Sequence, residues 1–230
     1  MEPVILEKRN MVIAKRINEL IRLSQFDALA NLEELWVFGY GSLVWLPNFC
    51  FSDKIVGKIL GYRRRFYQGN TTHRGRPGRP GRVATLMKDQ TGRSETYGCA
   101  YKLSGREQIA AALEHLNMRE STLGGYSLSV EDFHSAEFAP IPALVYTATP
   151  ENDQFTGEQS IEELSDIIAN ASGPTGSNVE YLFRLAEWQR EFLPFVEDDH
   201  LYELTRLTKT KLARMEREKN NPRRMVRNGN

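Results

Sequence analysis

The sequence predicts an α+β fold, a small strand-rich core with helices packed around it. Between residues 35 and 149, short runs rich in β-branched and aromatic residues (83–87, 97–101 and 143–147) are separated by Gly, Pro and Asp turns. After Ser160 the apolar pattern changes to a helical one, and the pairs Ser160/Glu163 and Ser177/Glu180 have capping-box spacing, announcing two helix starts. Before Leu35, the residues Ile13, Ile17, Leu20, Ile21 and Leu32 recur at helical spacing among Lys, Arg and Glu.

Taken in order, residues 1–34 read as an amphipathic helical extension, expected from about Glu7 to Glu34 and packed against its own core. Residues 35–208 form the main domain. Residues 209–230 are a basic tail, helical at first and then rich in Asn, Pro and Arg, ending in solvent. A chain of 230 residues with 40% hydrophobic and 26% charged content builds one sizeable core. Its formal net charge of zero gives no global attraction to nucleic acid or to a membrane surface. No apolar stretch approaches the roughly 20 residues of a membrane span. The N-terminus, with Glu2 and Glu7, lacks the apolar centre of a signal peptide. Two cysteines, Cys50 and Cys99, are too few for a disulfide framework, which fits a reducing, cytoplasmic setting; both read as core thiols.

The strand that opens the domain runs Leu35-Trp36-Val37-Phe38 straight into Gly39-Tyr40-Gly41-Ser42-Leu43-Val44. Glycines at 39 and 41 allow torsions closed to other residues, so the amides of Gly41, Ser42 and Leu43 can converge on an anion such as a carboxylate. Better-known glycine turns fail on spacing. A P-loop needs Lys and then Ser/Thr after its last glycine, a dinucleotide fingerprint needs glycine where Val44 stands, and a serine-hydrolase elbow needs glycines where Tyr40 and Val44 stand. The plain alternative is a strand that ends in a tight turn.

From Arg106 a helix is expected with Ile109, Ala112, Leu113 and Leu116 on one face, and four residues further that face reaches Glu120. Asn117 is a possible earlier stop that would spoil the alignment. If the face continues, burial and the carbonyl-rich end of the helix both raise the carboxyl pKa, the profile of a catalytic acid or base. The structural alternative is a buried glutamate paired with Arg119 or another arginine. Gly124 and Gly125 follow, and paired glycines permit close approach of backbone to a ligand.

In the loop 73–82, Arg74-Gly75-Arg76-Pro77 reproduces the core of an AT-hook, which would make the chain a DNA-binding module. Its place between β-like runs and the zero net charge weigh against that, and a rigid surface loop with solvated arginines is the plain reading. His73, His115, His134 and His200 show no metal-ligand spacing with each other or with the cysteines, so no metal site is expected. The run Arg63-Arg64-Arg65 reads as a solvated edge without assigned role.

Together, Phe38-Gly39-Tyr40-Gly41-Ser42-Leu43, the segments 67–75 and 77–83, Arg119-Glu120 ahead of Gly124-Gly125-Tyr126, and Gly173-Pro174-Thr175-Gly176-Ser177-Asn178 with Glu180-Tyr181-Leu182 resemble the ChaC family of γ-glutamylcyclotransferases. The resemblance covers residue 35 to about 207. Ser121-Thr122-Leu123 resembles the family members with a longer spacer after the Arg-Glu pair. It implies a fold on a small mixed β-barrel and a cytoplasmic enzyme that converts glutathione to 5-oxoproline and cysteinylglycine without cofactor or metal. It implies that residues 39–44 bind the γ-glutamyl group and that Glu120 is the catalytic carboxylate. On that footing Arg74 is a candidate for the glycyl carboxylate of glutathione, and Tyr40, an amide of the turn or Tyr181 for the oxyanion. Other γ-glutamyl amino acids or γ-glutamylamines are the alternative substrates. Oligomeric state is not legible.

Overall fold

A computed structural model describes residues 3–122 and 125–220. Leu123 and Gly124, and positions 221–230 of the basic tail, lie outside the described residues. The chain forms two compact units, Met1–Gln68 with Ala84–Phe155, and Gly69–Val83 with Thr156–Asn230.

The first unit begins with helix α1 (Pro3–Arg22), a 3-10 segment (Phe26–Asn31) and β1 (Glu34–Gly39). It continues with β2 (Asp53–Leu60), β3 (Tyr62–Asn70), β4 (Gly81–Lys88), β5 (Glu95–Ser104), α2 (Arg106–Leu116), β6 (Ser127–His134) and β7 (Ile141–Thr147). Strands β1-β5-β2-β6-β7 close into a barrel, with β1 parallel to β7 and the other pairs antiparallel. The α+β class and the mixed barrel are therefore both present. Strands β3 and β4 make a separate two-stranded ladder along which the chain passes between the two units.

A glycine pair fits the barrel to its contents. Gly57 and Gly98 stand opposite each other on β2 and β5. A Cβ at Gly57 would lie 2.4 Å from the Phe133 ring, and one at Gly98 would lie 2.8 Å from the Phe38 ring. The two rings, 5.7 Å apart at their centroids, occupy the space those missing side chains leave. The other strand face carries Leu35, Val37, Leu103, Leu144 and Tyr146, which join Ile109, Ala112, Leu113 and Leu116 of α2 and Ile17 of α1 in one cluster. Each large side chain so buried stabilises by roughly 1.5–3 kcal/mol. The extension thus packs on its own unit. It is not one helix to Glu34, because Ser24 takes a left-handed backbone (φ 56°) that stops α1 before the 3-10 segment.

The second unit contains α3 (Ile161–Asn170), the short strands β8 (Ser172–Gly173) and β9 (Gly176–Ser177), α4 (Asn178–Phe192) and α5 (Asp199–Lys219). Leu164, Ile168, Leu182, Leu185, Leu201 and Leu204 are fully buried in it. Ser160 and Glu163 make the expected reciprocal capping box. Ser177 makes only half of one: its hydroxyl accepts from the Glu180 amide, while the Glu180 carboxylate turns to Arg74 and Arg184. The tail read from residue 209 starts inside α5, which stays helical to Lys219. Of the two cysteines, Cys99 is buried and burial raises its thiol pKa to about 11, but Cys50 is exposed and not a core thiol. Arg64 is likewise not a solvated edge residue. It is buried and donates to the Tyr97 carbonyl. No helix among the described residues is long and apolar enough to cross a membrane.

Candidate active site

The barrel unit brings the glycine turn and Glu120 together, and Arg119 is the link. Its Nε lies 2.9 Å from Glu120 Oε1. Its Nη2 donates to Ser42 Oγ at 2.6 Å, and its Nη1 donates to the carbonyls of Leu46 at 2.7 Å and Pro47 at 3.5 Å. One guanidinium therefore fixes the turn by three acceptors and the carboxylate by a fourth. The planar fork of arginine suits that task, whereas a lysine ammonium would not hold the same angles.

The turn itself is built by β1 ending at Gly39 and a 3-10 turn at Ser42–Val44. Neither glycine has a positive φ, and Gly41 has φ −119°. The reason for Gly39 is close approach: an added Cβ would lie 2.5 Å from Leu43 Cβ. The carbonyls of Gly41 and Ser42 accept from Val44 and from Trp45 and Leu46, along the turn. In a trans peptide N–H points opposite to C=O, so the amides of Ser42 and Leu43 face back out of the turn. Further along, the Leu43 carbonyl accepts from Tyr101 Oη at 2.6 Å and the Val44 carbonyl from Lys54 Nζ at 3.4 Å. Tyr40 Oη donates to the Tyr146 carbonyl at 2.7 Å. Strands β2 and β5 thus hold the turn by its carbonyls and β7 holds it by the Tyr40 hydroxyl, which leaves those amides facing outward.

Glu120 sits on a π-helical turn, Asn117–Thr122, that continues α2. Asn117 does not stop the helix. It keeps α torsions (φ −60°, ψ −45°), and the ladder widens after it, as wide turns often do at functional sites. Tyr126 N–H closes the end of the turn onto the Glu120 carbonyl at 2.9 Å. The carboxylate is largely buried, at 16% side-chain exposure. Burial pushes its pKa up, and the Arg119 charge pulls it partly back. Both sequence readings of Glu120, raised acid and arginine partner, describe the same side chain. Gly125 has φ +67° and faces Asn152, whose amide donates to its carbonyl, so a structural contact already occupies the close approach there.

One residue of the site was missed in the sequence. Tyr146 on β7 is buried, and its hydroxyl has no hydrogen-bond partner among the described residues. Burial raises its pKa first, and the negative charge of Glu120 raises it further. In the sequence Tyr146 stands only as one residue of the β-rich run 143–147, and six successive residues of β7 are buried, so nothing marks it out.

Arg74 and Tyr181 lie in the second unit, beside each other. The Arg74 guanidinium is 5.9 Å from the Tyr181 ring centroid, 2.8 Å from Glu180 Oε2 and 3.1 Å from the Ser177 carbonyl. Asn70 Oδ1 accepts from the amides of His73 and Arg74, and Asn178 brackets the backbone of Arg82 with two hydrogen bonds. Arg76 and Arg79 pair across the Pro77-Gly78 turn and are exposed. The loop is thus a pinned hairpin, and Arg74, half of the AT-hook pattern, already has a carboxylate.

A family model described as ChaC-like protein matches residues 35–211. A Homo sapiens protein named glutathione-specific gamma-glutamylcyclotransferase 1 is 46% identical over 171 residues, 74% of this chain and 76% of that one. The Danio rerio protein of the same name is 43% identical over 180 residues, 77% and 90% of the two chains. Among solved structures, a γ-glutamyl cyclotransferase specific to glutathione from yeast matches with a TM-score of 0.71 at 27% identity, covering 78% of this chain and 97% of that one.

Proposed function

Because the chain belongs to the ChaC-like family, we propose that it cleaves glutathione by cyclising the γ-glutamyl group, releasing 5-oxoproline and cysteinylglycine. The α-amine of the γ-glutamyl group attacks its own side-chain carbonyl carbon. A C–N bond forms, a five-membered ring closes, the carbonyl π electrons move to oxygen, and the amide C–N bond to cysteine then breaks. The protein's part is to fold the γ-glutamyl arm into attack distance and to move one proton. Freezing such motions lowers a barrier by several kcal/mol, at most about 7–11.

The observation that carries the reading is the Arg119 bridge, which puts an amide-lined turn and a buried carboxylate at one site. The amides of Gly41, Ser42 and Leu43 take the α-carboxylate. Glu120 takes the proton that the attacking ammonium must lose and returns it to the departing nitrogen. Its raised pKa suits both directions, since a carboxyl nearer neutrality is a better base for the amine and a better acid for the leaving group. A cytoplasmic location is part of the same proposal, supported by two unpaired cysteines.

The test is release of 5-oxoproline by the purified chain from glutathione, with γ-glutamyl amino acids and γ-glutamylamines in parallel. The expected result is turnover of glutathione well above the others. Equal turnover of all three would leave the chemistry and reject the specificity, and no turnover of any would reject the function.

A further inference from the structure

Oxyanion formation requires a donor at the carbonyl oxygen, and the groups of the barrel site divide sharply into engaged and unengaged. The Arg119 guanidinium is held by Ser42, Leu46, Pro47 and Glu120. Tyr40 Oη is bonded to the Tyr146 carbonyl, and Tyr101 Oη to the Leu43 carbonyl. Tyr146 differs: its side chain is buried in the same cluster as Leu43, Leu116 and Leu144, yet its hydroxyl ends without a partner among the described residues. A hydroxyl withdrawn from water without a partner is destabilising, and natural sequences rarely keep one where phenylalanine would fill the space.

Resting on the cyclisation reading above, we propose that Tyr146 is a catalytic residue whose phenol donates a hydrogen bond to the γ-carbonyl oxygen as it becomes the oxyanion. The position is fixed on both sides. β7 pairs with β1 as far as Val145 and with β6 through Leu128 and Tyr146, so the ring is carried near the C-terminal end of a barrel strand. The backbone carbonyl of the same residue accepts from Tyr40, which ties the donor to the turn that holds the substrate. The negative charge of Glu120 and burial both keep the phenolic proton in place, so the group donates throughout the neutral range. During the reaction the phenol keeps its proton. It stabilises charge on oxygen while the ammonium proton passes to Glu120 and on to the leaving nitrogen, so no further acid, base or oxidant is needed.

Tyr146→Phe removes one oxygen and leaves the ring. Loss of a single oxyanion donor lowers kcat by about 100- to 1,000-fold. The expected result is a kcat loss of that size on glutathione with KM within about threefold and a melting temperature no lower than that of the parent, since no partner is orphaned. An unchanged kcat, or a rise in KM with kcat intact, would overturn the proposal. A second measurement does not depend on that variant. In a chain carrying 13Cζ-tyrosine and made inactive by Glu120→Gln, the Tyr146 resonance should shift when glutathione saturates the site, and no shift at saturation would also overturn it. If the parent fails to release 5-oxoproline from any γ-glutamyl compound, the cyclisation reading fails first; if the parent is active and Tyr146→Phe equally so, only the oxyanion assignment fails.

Discussion

Arg119 performs two functions with one side chain. It anchors the turn at Ser42 and Leu46, and its charge opposes the burial that raises the Glu120 pKa. Three predictions belong at this scale. The acid limb of kcat/KM should lie above pH 4.5, the ordinary value for a glutamate, because the base must be ionised to accept a proton. Arg119→Gln should move that limb to still higher pH and raise KM, measured by 5-oxoproline release across a pH series; a limb moving down would mean that the guanidinium does not stabilise the carboxylate. Stability gives the complementary sign. A carboxyl whose pKa is higher in the folded chain than in the unfolded one favours folding below about pH 4.5, and that advantage disappears as pH rises through the folded value. Glu120→Gln should therefore melt higher than the parent at pH 7, with the gap closing toward pH 4, as followed by circular dichroism. Glu120 was legible because helical spacing from Ile109 runs to it. Tyr146 was not, since a tyrosine at a buried strand position looks like any other core aromatic until its hydroxyl partner is sought.

At the scale of elements, the glycine turn and the π-helical turn are placed by different forces. The first is held by side chains from β2, β5 and the π turn, and its defining glycine answers to crowding by Leu43. Gly39→Ala should destabilise the chain by about 1–3 kcal/mol, the usual cost of overpacking, and should raise KM because the amides shift with the turn. Denaturant unfolding and steady-state kinetics check both, and an unaltered KM would detach the turn from substrate binding. Gly-X-Gly after an apolar strand announced the turn in the sequence, but torsional freedom was the wrong reason for its first glycine. The widening of the helix after Asn117 has no sequence signature, since Asn-Met-Arg-Glu reads equally well as α-helix or as its end. Capping shows the same limit. Ser160/Glu163 and Ser177/Glu180 have identical spacing, and the presence of Arg74 and Arg184 diverts the second glutamate. Ser160→Ala should cost about 1 kcal/mol of stability, a typical value for a lost N-cap.

For the whole molecule, composition and order of elements were the most legible features: an extension, a strand-rich middle and a helical end. Closure of β1 onto β7 was not legible from residue patterns, because parallel pairing of distant strands leaves no local mark; the barrel came from family resemblance. The division at Gln68 and Val83 was hidden as well, since β3 and β4 run through it as unbroken strands. A formal net charge of zero, together with an Arg74 already bonded to Glu180, predicts no retention on an A·T-rich duplex at physiological salt, where a mobility shift would revive the DNA-binding alternative. The most direct test of the proposed chemistry joins the reaction to its proton carrier: 5-oxoproline release from glutathione by the parent and by Glu120→Gln, each verified as folded. Turnover by the parent and a loss of roughly 100- to 10,000-fold in the variant is the expected outcome for a general acid–base group. Undiminished turnover by the variant would contradict the assignment and leave Glu120 only its ion pair with Arg119.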